Sequence, residues 1–333
     1  MNNVIIVIAT STIVKNLLVI VKIEFLSDFS LKNWGMSYKT MSQYNQVKFE
    51  NAVYKKNIRL VESLLDEGFD PDTPIGQKNS TPLMVSCQNN DVEMVRLLLE
   101  HGADVNIKNG DGNTALLGAI QKGNLELIEI LCKRGADIRH QSKRGTGAVE
   151  CAIYSGKVDV LKWVLDHGAD VNAKAEGGIT PLFFTVSEGM VAFIKILLEY
   201  GADVNAQDDE DNTPLIIASA QEIPDTKTIQ LLLEAGADVN KITKKKTGVL
   251  QCVVMSGDLD VIKLLVKGGA NINQRGAHGM TPVMTMTGYG YLDLVKFLVE
   301  QGADLKLVND DGKTALDIAI DEGHVKIIKY LTN

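Results

Sequence analysis

Residues 114–137 read TALLGAIQKGNLELIEILCKRGAD, and this stretch decides the fold. Leu116, Leu117, Ala119 and Ile120 fall at helical spacing, and a second apolar period, Leu125, Leu127, Ile128 and Leu131, follows Gly123. Two short amphipathic helices joined at a glycine are therefore predicted. The closing phrase recurs outward in both directions. Gly-Ala-Asp begins at Gly102, Gly135, Gly168, Gly201, Gly236 and Gly302, with Gly-Ala-Asn at Gly269 and Gly-Phe-Asp at Gly68. The steps are 34, 33, 33, 33, 35, 33 and 33 residues. A period of this size means stacked helical units, each burying its apolar face only against its neighbours. Such a chain is an extended surface first, and a catalyst only if another feature says so.

The punctuation fits that reading. Gly123, Gly156, Gly189, Gly257, Gly290 and Gly323 occupy equivalent places between the paired helices, where a helix end commonly takes a left-handed backbone. The glycine of Gly-Ala-Asp ends the second helix for the same reason. The stretch after it, such as VNIKNGDGN at 105–113, is rich in turn formers and predicts a hairpin-like finger. A threonine then caps the next helix, often followed by a proline in the first turn.

A globular chain of 333 residues would split into two or more domains, but a solenoid's core grows with copy number. The net charge of −8 argues against broad nucleic-acid binding, which needs a basic footprint. Cys87, Cys132, Cys151 and Cys252 all lie in apolar helical patterns, and none forms a Cys-x-x-Cys pair. They read as buried thiols in a reducing compartment.

The repeated motifs resemble ankyrin repeats: Thr-Pro-Leu at 81, 180 and 213, LLLEHGADVN at 97–106 and LLLEAGADVN at 231–240. The likeness covers about residues 44–333 in nine units, starting near Val47, Thr81, Thr114, Gly147, Thr180, Thr213, Gly248, Thr281 and Thr314. It implies an all-α solenoid of helix-turn-helix units with hairpin-like fingers, occupying 43–333 after an N-terminal segment 1–42. In that segment, Val4 to Leu26 is rich in Val and Ile but interrupted by Lys15, Lys22 and Glu24. It makes a poor membrane span, and no basic n-region or Ala-x-Ala site marks a signal peptide. Three readings stand: a weak membrane or export segment over 4–26, an irregular leader, or an upstream extension before a start at Met36 or Met41. The last is preferred, because the repeat begins just afterwards.

Three departures from the family pattern are visible. The histidine that commonly follows Thr-Pro-Leu is replaced by Met84, Leu117, Glu150, Phe183, Ile216, Gln251, Met284 and Asp317, so apolar packing is expected to replace several of its hydrogen bonds. The sixth unit carries two extra residues around QEIPDTK, with Pro224 at the glycine position, which reads as a local bulge. Two units, KRGTGAVECAIYSGKVDV from Lys143 and KKKTGVLQCVVMSGDLDV from Lys244, have Thr-Gly for Thr-Pro. They lie three units apart, which suggests duplication of a three-unit block.

Motifs for chemistry fail in context. Gly312-Lys313-Thr314 lacks the glycine a phosphate loop needs, since Leu307 stands there. NGDGN at 109–113 lacks the closing Glu of a calcium loop. His101, His140, His167, His278 and His324 show no ligand or catalytic spacing. Asn79-Ser80-Thr81 fits a glycosylation sequon, but Thr81 is in register as a cap. No catalytic residue, cofactor or metal is expected.

What remains is surface. Arg139, His140, Lys143 and Arg144 make one basic fingertip, and Lys241, Lys244, Lys245 and Lys246 a second; Asp208, Asp209, Glu210 and Asp211 make an acidic tip between them. Either they form a charge-coded docking strip, or neighbouring fingers neutralise one another. The family resemblance places the partner surface on the fingers and inner helix face. In register, the seventh residue after each unit start faces that groove: Tyr54, Gln88, Gln121, Tyr154, Ser187, Ala220, Met255, Gly288 and Asp321, with Tyr289 beside Gly288. Tyrosine is a favoured interface anchor. The expectation is a non-catalytic, monomeric, cytoplasmic scaffold for an unidentified protein partner, with no small-molecule substrate, nucleic acid or membrane bound. The alternative is a membrane- or envelope-associated protein anchored by 4–26.

Overall fold

The computed structural model describes residues 38–332, excepting the side chains of residues 38–42, Gln77 and Met255. Residues 4–26 lie outside the described residues. Nine helix pairs follow in chain order. They are α1 (Tyr38–Tyr54) with α2 (Ile58–Asp66), α3 (Pro82–Gln88) with α4 (Val92–Glu100), and α5 (Ala115–Lys122) with α6 (Leu125–Lys133). Next come α7 (Ala148–Tyr154) with α8 (Val158–Asp166), α9 (Pro181–Ser187) with α10 (Val191–Glu199), and α11 (Pro214–Ser219) with α12 (Thr226–Glu234). The last are α13 (Val249–Cys252) with α14 (Leu259–Lys267), α15 (Pro282–Gly288) with α16 (Leu292–Glu300), and α17 (Ala315–Asp321) with α18 (Val325–Leu331).

Local chemistry sets the boundaries. The Thr81, Thr114, Thr180 and Thr213 hydroxyls accept the backbone N–H of Met84, Leu117, Phe183 and Ile216 at 3.3–3.5 Å, which satisfies a first-turn donor that the helix leaves orphaned. Gly123 ends α5 in the left-handed region at φ 66°, where a side chain would be strained. In the sixth unit the bulge replaces that glycine, and Asp225 restarts the chain by capping α12 through the N–H groups of Lys227 and Thr228. α13 is a single turn continued by a 3-10 turn, Val253–Met255.

Each first helix packs on the next first helix, and second helices on second helices. Two rows of side chains make the core continuous. Leu83, Leu116, Val149, Leu182, Leu215, Leu250 and Val283 line the first helices at 0–2% exposure. Leu98, Leu131, Val164, Leu197, Leu232, Leu265 and Leu298 line the second helices and are wholly buried. Each such side chain contributes about 1.5–3 kcal/mol on leaving water, and every one of them needs its neighbouring unit to be buried.

The polar residues of the recurring phrase tie the units together. Within each phrase the Asp carboxylate accepts the N–H two residues on, as Asp104 does from Asn106 at 2.8 Å and Asp203 from Asn205 at 2.9 Å, an Asx turn. The Asn then reaches the next unit. Asn106 donates to the Gly135 carbonyl at 3.0 Å and accepts the Asp137 N–H at 3.0 Å. Asn172, Asn205 and Asn240 repeat the same pair of bonds onto the glycine and the Asp or Asn of the following phrase. Fingers are strung together as well: the Gly110, Lys143, Glu176, Asp209, Lys244 and Asp310 amides donate to Lys78, Asp111, Arg144, Gly177, Glu210 and His278 of the preceding tips.

Candidate partner-binding surface

The groove floor is built from the exposed side of the first helices. Tyr54, Gln88, Gln121, Tyr154, Ser187 and Asp321 are exposed there, whereas Ala220 and Gly288 are half-buried. The Met255 side chain lies outside the described residues. Tyr154 leans on Phe184 of the next unit with ring centroids 5.2 Å apart. Partial burial, then the nearby Glu150 charge, raises its phenol pKa. Tyr289 stacks on Tyr291 at 6.3 Å. The floor position three residues earlier holds Val85, Gly118, Cys151, Phe184, Ile217, Cys252, Thr285 and Ile318. No charge enters either floor row before Asp321.

One dent interrupts the floor. Gly118 has no side chain where the other units carry one, and a cavity of about 310 Å³ opens above it. Gln88, Gln121 and Tyr154 line it from the helices, and Lys78, Asp111 and Arg144 from the fingers. Four of the expected surface residues, Gln88, Gln121, Tyr154 and Arg144, thus converge on one concavity. Lys78 and Asp111 are paired at 2.6 Å, while Arg144 is exposed at the rim.

The other charged residues divide between structure and surface. Arg139 occupies the Asn position of the inter-unit staple, and its Nε donates to the Gly168 carbonyl at 3.2 Å. Lys143 Nζ donates to the Gly110 carbonyl at 2.7 Å. Asp208 closes its own finger, accepting from the Glu210 and Asn212 amides at 2.9 and 2.8 Å. Asp209, Glu210, Lys245 and Lys246 are exposed, and Asp211 is half-exposed. The acidic and second basic tips meet through Lys244, whose Nζ donates to the Asp209 carbonyl. Among the described residues no ion pair within 4 Å joins the two tips.

The remaining reactive groups have structural partners. Burial pushes the Cys87, Cys151 and Cys252 thiols up to about 12. His101 sits with Nδ1 2.9 Å from the Leu97 carbonyl and Nε2 3.2 Å from Asp66; these two contacts, the carbonyl first, raise its pKa. Lys313 pairs with Asp321 at 2.7 Å. In NGDGN, Asn109 Oδ1 accepts the Asp111 and Asn113 amides at 3.0 Å, which makes the segment a closed turn. Among the described residues no group of three His, Cys, Asp or Glu is placed to hold a metal ion, and no helix is long and apolar enough to cross a membrane.

At the missing-histidine position, Met84, Leu117, Phe183, Ile216 and Met284 are buried, as apolar replacement requires. Glu150 and Gln251 are buried there too, as polar replacements. Both belong to the Thr-Gly units, whose cap has no side chain. Gln251 Oε1 reaches back to accept the cap's own N–H, Gly248, at 3.2 Å, and the Glu150 carboxyl faces the Gly147 N–H, which pulls its pKa down against the larger effect of burial. The signal was present in the sequence as a polar residue three places after each glycine cap.

A model of three ankyrin repeats matches residues 49–142, 149–243 and 250–333, and a second ankyrin model matches 224–266. The chain belongs to the ankyrin-repeat family. The three matched segments of this ankyrin-repeat protein hold three units each, the same blocks that the paired Thr-Gly units mark out. It is similar to an ankyrin repeat protein of fowlpox virus, FPV240, at 34% identity over 26% of this chain and 22% of that one. It also resembles zygote-specific protein 3 of Chlamydomonas reinhardtii, at 33% over 24% and 21%. The phosphocholine transferase AnkX of Legionella pneumophila matches at 32% over 22% of this chain and 8% of the transferase. The similarity thus spans about a fifth or less of each relative.

Proposed function

We propose that this ankyrin solenoid is a non-catalytic, monomeric scaffold that holds a partner protein along its concave face, with the dent above Gly118 as the anchor point. The observation that carries this reading is the convergence of Gln88, Gln121, Tyr154 and Arg144 on one cavity in an otherwise uncharged floor. A partner side chain seated there would be desolvated by Tyr154 and met by the exposed Arg144 guanidinium at the rim, the arrangement of an interface hot spot. The exposed tips Arg144, Lys245, Lys246, Asp209 and Glu210 would select by charge and speed encounter more than they would add affinity. Tyr54 and Tyr289 extend the surface toward the two ends.

The test places a photo-reactive residue at Gln121 on the floor and, as a control, at Lys162 on α8. A specific partner crosslinks from position 121 only. Gly118→Leu, which fills the dent, lowers affinity for that partner about tenfold, the equivalent of 1.4 kcal/mol. Equal crosslinking from both positions, or full affinity in Gly118→Leu, refutes the groove assignment.

A further inference from the structure

Glu150 lies in the first turn of α7 and is 8% exposed. Its carboxyl faces the Gly147 N–H, while Oε2 is buried without a hydrogen-bond partner. Beside it is a small recess of about 20 Å³, partly open to solvent and lined by Glu150, by Ala173 and Asp170 of the following finger, by Pro181 at the start of α9, and by Arg139 and His140. The seam between the fourth and fifth units therefore contains an acidic group with half its hydrogen-bonding capacity unmet.

The seventh unit shows how this position is satisfied. Gln251 Oε1 accepts from Gly248 N–H at 3.2 Å, and Gln251 Nε2 donates to the Gln274 backbone carbonyl of the next finger at 3.1 Å. Ala173 is in register with Gln274. A carboxylic acid offers the same layout as the amide, one acceptor and one donor, whereas a carboxylate offers acceptors only. The charged neighbours are engaged elsewhere. Arg139 Nε donates to the Gly168 carbonyl, His140 Nε2 faces the Gly112 carbonyl at 2.7 Å, and Asp170 accepts the Asn172 amide at 2.9 Å. On its own helix Glu150 faces Cys151 and Tyr154, neither of them cationic.

We propose that Glu150 is a proton-operated staple: as the neutral acid it donates Oε2–H to the Ala173 carbonyl and locks the fourth unit to the fifth, and release of that proton to solvent opens the staple. Ionisation removes the carboxyl's donor and leaves a charge on a largely buried side chain, near Tyr154 and beside Arg139 and His140 of the basic finger. Burial accordingly raises the Glu150 pKa, against the opposing pull of the Gly147 N–H. A raised carboxyl means the folded chain binds the proton more tightly than the unfolded one. The staple's contribution is complete below the ordinary carboxylate range and is lost as pH rises through the folded value.

The test is thermal unfolding of the full chain from pH 4.5 to 8 for wild type, Glu150→Gln and Gln251→Glu. Glu150→Gln keeps the donor at every pH, so its midpoint exceeds wild type by roughly 2–4 °C at pH 8 and the two merge toward the acid end. Gln251→Glu imports the behaviour to the seventh unit, with a midpoint depressed at pH 8 and recovering as pH falls. Carboxyl-carbon NMR of Glu150 in the wild type reads the titration directly, with a midpoint above the ordinary value of about 4.3. A pH-independent offset in Glu150→Gln, or a Glu150 midpoint at or below the ordinary value, overturns the proposal.

Discussion

The Asn of the recurring phrase carries more of the architecture than its Gly. Asn205 donates to the Gly236 carbonyl at 3.2 Å and accepts the Asp238 amide at 2.7 Å, so one side chain closes two bonds across a unit boundary. Asn205→Ala is expected to cost about 1–2 kcal/mol, the net worth of two hydrogen bonds, read as a lowered urea midpoint. Reading the sequence as turn chemistry could not reveal this, because both partners lie about one repeat further along the chain. Burial of Cys87, Cys151 and Cys252 was legible from their apolar surroundings, whereas Cys132, expected to be buried with them, is half-buried. At pH 8 a thiol reagent is expected to label half-buried Cys132 first. Cys87, Cys151 and Cys252, their thiols pushed up to about 12, become reactive only on unfolding.

Helix starts in this chain draw on two devices. The Thr81, Thr114, Thr180 and Thr213 hydroxyls accept a first-turn N–H, whereas in the Thr-Gly unit at Gly248 the Gln251 side chain accepts the cap's own N–H. Removing the hydroxyl by Thr213→Ala leaves the buried Ile216 amide without its 3.3 Å partner and is expected to cost about 1 kcal/mol in denaturant unfolding. Deleting core volume costs more. Leu182, 1% exposed in α9, should lose about 2–5 kcal/mol as Leu182→Ala. Element type and order followed from periodicity, with the Pro224 bulge falling where two extra residues had marked it. The polar replacement at Glu150 and Gln251 was visible in the sequence, but its role was not. Its meaning depends on the glycine cap lacking a side chain and on a finger carbonyl supplied by another unit.

At the scale of the whole molecule, the two buried rows make stability a chain of nearest-neighbour terms. Ile327, 1% exposed in α18, sits on a helix that packs on α17 and α16. Ile327→Ala is expected to speed amide exchange in α17 and α18 while leaving protection around Leu182 and Leu215 unchanged, whereas Leu182→Ala loosens the units on both sides. Local patterns spaced along one repeat were enough to indicate the solenoid, its paired helices and most of its helix caps. All of these depend on neighbours within a few residues. The cavity above Gly118, the use of Arg139 and Lys143 as structural donors, and the unmet oxygen of Glu150 arise where one unit meets the next. Such contacts join residues about 33 positions apart, and their chemistry is set by how the units stack rather than by any single repeat.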